Sequence, residues 1–125
     1  MKKLILILLI MFGVNMGSRA EDKNYADMNV AQFAQLLNDK NVQLLDVRTP
    51  EEYAEGHIPG AINIDVFDKD FLAEATKSLD KARPVAVYCR SGKRSAEAAR
   101  QLASQGYDVS NLLGGILAWK ESFLR

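Results

Sequence analysis

The chain has 125 residues, enough for one ordinary domain but not for two. Its 16 basic and 16 acidic residues leave no positive excess of the kind that marks nucleic-acid-binding proteins. One cysteine and one histidine exclude an intramolecular disulfide and a multi-cysteine zinc site, and they argue against a transition-metal cluster. The apolar fraction of 48% excludes wholesale disorder.

The first 20 residues have the pattern of a secretory signal peptide. Lys2 and Lys3 precede an apolar run at residues 4–14, and the small residues Ser18 and Ala20 follow it. An uncleaved anchor is the alternative, but the run is shorter than the about 20 residues that a bilayer-spanning helix needs. We therefore predict export, to the periplasm of a bacterium with an outer membrane, and no stable membrane anchor after cleavage.

Cleavage after Ala20 would divide the chain into a signal peptide, residues 1–20, and one folded domain, residues 21–125. It would remove three basic residues, leaving 13 against 16 acidic ones and a formal net charge of −3. An exported protein with a single cysteine is informative, because oxidising compartments favour paired cysteines. The unpaired cysteine is then either buried and inert or retained for its chemistry.

Capping signals and apolar runs predict the elements of the first half of the domain. A capping box that starts at Asn29 predicts a helix, and the apolar run at residues 42–47 predicts a buried strand. A second capping box starts at Thr49, with Pro50 at the favoured first helical position. Gly56 is expected to end this short helix.

The second half of the domain continues the alternation of strands and helices. The predicted strands are residues 61–64, 84–88 and 109–113, and the predicted helices are residues 67–81, 95–105 and 116–123. Such alternation favours an α/β fold with a mostly parallel sheet covered on both faces. Ligands bind beyond the carboxyl ends of the strands in these sheets, which directs attention to residues 46–48 and 89–95.

The loop between the strand at residues 84–88 and the next helix carries the only cysteine. Cys89 precedes a helix start, where free backbone N–H groups favour an anion. Arg90, Lys93 and Arg94 add positive charge, and Gly92 lets the loop bend so that its amides can point inward. Since these features all stabilise a sulfur anion, we predict a nucleophilic thiolate. The alternative is a buried strand-end cysteine beside a solvated basic loop.

The spacing within this loop distinguishes between two chemistries. Cysteine-dependent phosphatases use C-x5-R, so that a tetrahedral phosphate fits inside the loop. Here Arg94 is the fifth residue after Cys89, which gives C-x4-R. A ring shorter by one residue suits a single sulfur atom better, so the spacing disfavours a phosphatase or an arsenate reductase.

Three sequence blocks together resemble the rhodanese family of sulfurtransferases, specifically its small exported single-domain type. They are LDVR with GHIPGAINI at residues 45–64, CRSGKRS at residues 89–95, and LLGGILAW at residues 112–119. The resemblance implies a three-layer α/β rhodanese-like fold around a central, mainly parallel five-stranded sheet flanked by helices.

The resemblance also implies a two-step reaction without metal or organic cofactor. Cys89 would take sulfur from a donor such as thiosulfate and pass it, as a persulfide, to cyanide or a thiol, including a thiol protein. The implied substrate-binding residues are those of the loop: Arg90, Ser91, Gly92, Lys93, Arg94 and Ser95. The alternative function is a non-catalytic or thiol-redox-sensing binding module with the same fold.

Four residues outside the loop carry further expectations from the resemblance. Asp46 and Arg48 match a strand-end pair of the family and are expected to orient the Cys89 loop through charge-assisted hydrogen bonds. His57 is expected to brace a turn rather than to act in catalysis. Glu52 lies near the position at which some two-domain enzymes carry a thiosulfate-binding arginine, which weakens the case for thiosulfate as the physiological donor.

Overall fold

Five short strands alternate with five helices between residues 23 and 123, the part of the chain that the computed structural model describes. The strands are β1 (Ala26–Met28), β2 (Gln43–Asp46), β3 (Ile62–Asn63), β4 (Val85–Tyr88) and β5 (Val109–Leu112). The helices are α1 (Val30–Leu36), α2 (Pro50–Glu55), α3 (Phe71–Ser78), α4 (Lys93–Ser104) and α5 (Gly115–Phe123). The predicted signal peptide, residues 1–20, lies outside the described residues.

The strands form one sheet in the order β1-β5-β4-β2-β3, and every neighbouring pair in it is parallel. Helices α3 and α4 pack on one face, and α1 and α5 pack on the other. This arrangement confirms the predicted three-layer α/β fold. Between residues 23 and 123, no helix is long and apolar enough to cross a membrane.

Strand β4 lies at the centre of the sheet and is buried along its whole length. Its side chains alternate between the two cores, as the period of two of a strand requires. Val85 and Val87 join the core beneath α3 and α4, whereas Ala86 and Tyr88 join the core beneath α1 and α5. Cys89 continues the alternation and joins the α3–α4 side. The strand thus directs the cysteine towards the helix that follows it.

The two predicted capping boxes are confirmed. The side chain of Asn29 accepts a hydrogen bond from the Gln32 amide, and Gln32 reaches back to the Asn29 amide, both at 2.9 Å. Thr49 and Glu52 make the same reciprocal pair at the start of α2. These contacts satisfy backbone donors that a helix start otherwise leaves free.

The main differences from the sequence prediction are one missed strand and the starts of two helices. Strand β1 was not predicted, because its three residues at the sheet edge are too short a run to give a strand signal. Helix α3 begins at Phe71 rather than at residue 67, because Asp65 and Asp68 accept hydrogen bonds from amides two residues ahead and hold the chain in turns. Helix α4 begins at Lys93, two residues early, because Gly92 takes up the left-handed conformation at its N-cap.

Candidate active site

The thiol of Cys89 lies at the carboxyl end of β4 and at the start of α4, and it is 1% exposed. The Gly92 amide donates to Sγ at 3.0 Å. The Ser95 hydroxyl lies 3.4 Å from Sγ and 3.2 Å from the Gly92 carbonyl oxygen, so its proton has two acceptors within reach. The buried sulfur atom therefore has one backbone amide and one hydroxyl within hydrogen-bond distance.

The tight turn of the loop depends on Gly92. Its φ of +104° is a left-handed conformation that L side chains rarely adopt. A β-carbon there would also lie 3.2 Å from the Gly114 amide nitrogen. Glycine therefore allows the chain to reverse after Cys89 and to present its amide to the sulfur.

The N-terminus of α5 holds the first part of the loop from outside. The Ile116 amide donates to the Cys89 carbonyl at 2.9 Å, and the Leu117 amide donates to the Arg90 carbonyl at 3.2 Å. The backbone of α5 lies so close to the loop backbone that a β-carbon on Gly115 would be 2.3 Å from the Arg90 carbonyl oxygen. The sequence predicted only a turn at residues 114–115, and the pair of glycines was its one signal of this contact.

Arg94 is paired with Glu52, an interaction that the sequence did not predict. Its Nη1 and Nη2 atoms donate to the two carboxylate oxygens at 2.8 and 2.9 Å. Hydrogen bonding from Arg94, helped by the Thr49 amide and opposed by burial, lowers the pKa of Glu52 to about 2. The guanidinium also lies over the ring of Phe67, 5.5 Å from its centroid. Both charges of this pair are therefore engaged beside the cysteine loop.

Apart from Arg94, which is paired with Glu52, the predicted loop residues divide into two groups. Gly92 and Ser95 contact the sulfur, and Ser95 is completely buried. The side chains of Arg90, Ser91 and Lys93 are exposed on the outer surface of the loop. Positive charge at the rim of the site therefore comes from exposed side chains, whereas the sulfur itself faces backbone and hydroxyl donors.

Asp46 and Arg48 form a buried ion pair, but it does not orient the loop as expected. Arg48 Nη2 lies 2.7 Å from Asp46 Oδ2 and also donates to the Gly56 carbonyl at 2.8 Å. The pair therefore holds the end of α2, and its hydrogen bonds do not reach residues 89–95. Its link to the site is indirect, because the Arg48 guanidinium lies 5.7 Å from the ring centroid of Tyr88, the residue before the cysteine.

His57 braces the same turn, as expected. Its ring stacks on Tyr53 with the centroids 3.7 Å apart and the planes 5° from parallel. Its Nδ1 atom lies 3.0 Å from the Tyr53 carbonyl oxygen. Among residues 23–123, no group of three or more His, Cys, Asp or Glu side chains is arranged to hold a metal ion.

Comparison with known proteins assigns most of the described residues to one family. Residues 29–122 match the rhodanese-like domain family. The chain belongs to the rhodanese family. This match includes the cysteine loop, α5 and the ion pair of Glu52 with Arg94, and it excludes β1, the edge strand that the sequence analysis missed.

Curated relatives and solved structures extend the rhodanese assignment. A sulfurtransferase of Allochromatium vinosum is 42% identical over 85 residues, which are 67% of this chain and 77% of the relative. The thiosulfate sulfurtransferase GlpE of Shewanella oneidensis is 36% identical, over 79% of this chain and 96% of its own length. The crystal structure of a rhodanese-related protein from Thermoplasma volcanium superposes with a TM-score of 0.69 at 35% identity, covering 78% of this chain and 93% of that one.

Proposed function

We propose that the protein is a sulfurtransferase that carries sulfane sulfur as a persulfide on Cys89. The observation that carries the proposal is the buried Sγ atom at the start of α4, with the Gly92 amide and the Ser95 hydroxyl directed at it. A thiolate in this setting is a nucleophile whose attached sulfur would enter a ring of backbone donors. The similarity to relatives named sulfurtransferases supports the same chemistry.

The reaction has two steps and needs no cofactor. In the first, the Cys89 thiolate attacks the outer sulfur of the donor, a new S–S bond forms, and the donor's own bond to that sulfur breaks. With thiosulfate, sulfite leaves with the electron pair of the broken bond. In the second step, cyanide or a thiolate attacks the outer sulfur of the persulfide and releases the Cys89 thiolate. The products are thiocyanate or a new persulfide, so both steps balance without an external oxidant or reductant.

The loop would serve both steps through its backbone and its charges. The outer sulfur of the persulfide carries a negative charge that the amides of residues 90–95 would stabilise. The exposed side chains of Arg90 and Lys93 would attract an anionic donor to the rim. Thiosulfate is the first donor to test, because one relative is named for it.

We also propose that the working form is exported and consists of residues 21–125. The apolar run at residues 4–14 and the small residues before Glu21 support this proposal. The mass of the protein isolated from an outer compartment would test it. A chain that begins at Glu21 is expected, and a full-length chain retained in the cytoplasm would contradict it.

Intact-mass measurement tests the persulfide directly. Protein incubated with thiosulfate is expected to gain the mass of one sulfur atom and to lose it when cyanide is added. Cys89→Ser is expected to show no gain while its circular dichroism spectrum is unchanged. Full sulfur transfer by Cys89→Ser would overturn the proposal. No gain with any sulfane donor, from a protein whose thiol is still alkylated by iodoacetamide, would instead favour the binding-module alternative.

A further inference from the structure

Arg94, whose charge interacts with that of Cys89, is not available as a free anion receptor. Both terminal nitrogens of Arg94 donate to Glu52, and the two side chains are only 20% and 26% exposed. Hydrogen bonding to Glu52, opposed by burial, raises the pKa of Arg94, and the charges of Cys89 and Asp65 add to this effect. A bidentate pair leaves the guanidinium fork with its carboxylate-binding edge occupied. At Arg94, a dianionic donor therefore meets a charge that Glu52 has already compensated.

An apolar surface adjoins this ion pair. Phe67 is 70% exposed, the most exposed of the large apolar side chains in the described part of the chain. Its ring lies against the guanidinium of Arg94, at 5.5 Å from centroid to carbon. The turn that presents it is fixed, because its amide donates to Asp65 Oδ1 at 2.9 Å and the neighbouring Val66 amide donates to the Val47 carbonyl at 3.1 Å. An exposed aromatic ring held in place beside a reactive centre can pack against an apolar substituent.

We propose that Glu52, Arg94 and Phe67 form a donor-selecting rim that favours a monoanionic sulfane donor with an apolar organic substituent over inorganic thiosulfate. This inference rests on the proposed function and assigns its donor class. Glu52 is a positioning residue, because it acts by holding and neutralising Arg94. Phe67 provides the surface on which the organic substituent packs.

The chemistry of such a donor is balanced. With an organic thiosulfonate anion, the Cys89 thiolate attacks the terminal sulfur, the S–S bond of the persulfide forms, and the bond between that sulfur and the sulfonyl sulfur breaks. The sulfinate leaves with the electron pair. The donor and its leaving group each carry one negative charge fewer than thiosulfate and sulfite do, and no external redox partner is required.

Three donors separate the effect of charge from that of apolar contact. Thiosulfate is a dianion, the methanethiosulfonate anion carries one charge and a small substituent, and the benzenethiosulfonate anion carries one charge and an aromatic ring. The rate of persulfide formation would be measured for each by intact mass in a single turnover, because this reports the donor step alone. Its dependence on donor concentration separates half-saturation from maximal rate. The native protein is expected to prefer benzenethiosulfonate, then methanethiosulfonate, then thiosulfate.

Glu52→Gln tests the contribution of charge. Glutamine retains the capping box of α2 but removes the charge that compensates Arg94. We expect the half-saturation concentration for thiosulfate to fall about threefold to tenfold, with a smaller fall for methanethiosulfonate. Both falls should become smaller at high salt, because salt screens the charges. Glu51→Gln, an exposed neighbour in the same helical turn, is the matched control for net charge. Equal changes in both variants, or none in Glu52→Gln, would overturn the role of Glu52.

Phe67→Ala tests the apolar contact at a position whose exposure makes a folding defect unexpected. The preference for benzenethiosulfonate over methanethiosulfonate is expected to fall about threefold to tenfold. Phe123→Ala, at another exposed phenylalanine that stacks on Trp119, is the control. An unchanged preference in Phe67→Ala would overturn its role. Failure of all three donors to form a persulfide on the native protein would instead defeat the proposed function itself.

Discussion

Gly115 is the position where one added carbon atom should do most damage to the cysteine loop. We predict that Gly115→Ala destabilises the fold and displaces the loop, because α5 contacts the loop backbone directly at this residue. A β-carbon would lie 2.3 Å from the Arg90 carbonyl oxygen and 2.6 Å from that of Cys89, both under the 3.0 Å limit of real contacts. Both obstacles are backbone atoms, which cannot move aside as a flexible side chain can.

The expected magnitude has two contributions. Alanine at the φ of +61° costs about 1–2 kcal/mol, since L residues disfavour the left-handed region. Relief of the overlap with backbone costs about 1–3 kcal/mol more, the usual range for overpacking. Gly106 is a matched control, because its φ is +96° and, apart from its chain neighbours, no heavy atom lies within 4 Å of the place that a β-carbon would take. Gly106→Ala should therefore show only the first contribution.

Urea unfolding of both variants measures the difference in the free energy of unfolding. Gly115→Ala should lose about 1–3 kcal/mol more than Gly106→Ala. The folded fraction of Gly115→Ala should also transfer sulfur more slowly, by up to about a hundredfold, because a displacement of about 1 Å can misplace a reactive group. If the two variants agree within about 0.5 kcal/mol and both keep native transfer rates, α5 does not hold the loop as described.

Three further predictions concern the two ion pairs and the hydrogen bond between the Ser95 hydroxyl and the Cys89 sulfur. Because the pKa of Glu52 is depressed to about 2 in the folded state, its stabilisation is present above the unfolded pKa near 4.5 and is lost as the pH falls towards 2. Glu52→Gln should thus cost about 1–2 kcal/mol at pH 7 in urea unfolding and much less near pH 2.5, and an equal cost at both would contradict the pairing. Asp46→Ala leaves the buried Arg48 without its carboxylate and should lower the free energy of unfolding by about 3–5 kcal/mol. Lys69→Ala, which removes the exposed pair with Asp70, should lower it by less than about 0.5 kcal/mol, and similar losses in both variants would argue against the buried pair. Ser95→Ala removes one donor to the Cys89 sulfur and should slow thiocyanate formation about fivefold to tenfold, so an undiminished rate would show that the hydroxyl has no part in the reaction.

Local patterns predicted most of the elements because their causes are local. The caps at Asn29 and Thr49 involve residues three positions apart, so the sequence alone contains both partners. The buried β4 was predicted for a similar reason, since a central parallel strand is apolar on both faces. Strand β1 was missed because its pairing with β5 joins residues far apart in the chain, and its own three residues are too few to show a strand pattern.

The sequence also identified the proposed nucleophile, Cys89. A single cysteine between a buried strand and a helix, followed by glycine and basic residues, predicted where the thiol lies, and Gly92 and Ser95 contact its sulfur. These residues are neighbours in the chain, so the strand–loop–helix order brings them together. The role of Arg48 could not be predicted in the same way, because its second partner, the Gly56 carbonyl, lies at the far end of α2.

Only the tertiary structure decided what surrounds Cys89. Glu52 lies 42 residues before Arg94, and no local signal connects them, yet their pairing determines the charge beside the thiol. Gly115 meets the Arg90 carbonyl only after the chain has passed through α4 and β5. Neighbours in the sequence determine which groups contact the Cys89 sulfur, because they share one turn of backbone. Charge compensation and steric support come from distant segments, because they depend on how the helices pack against the two faces of the sheet.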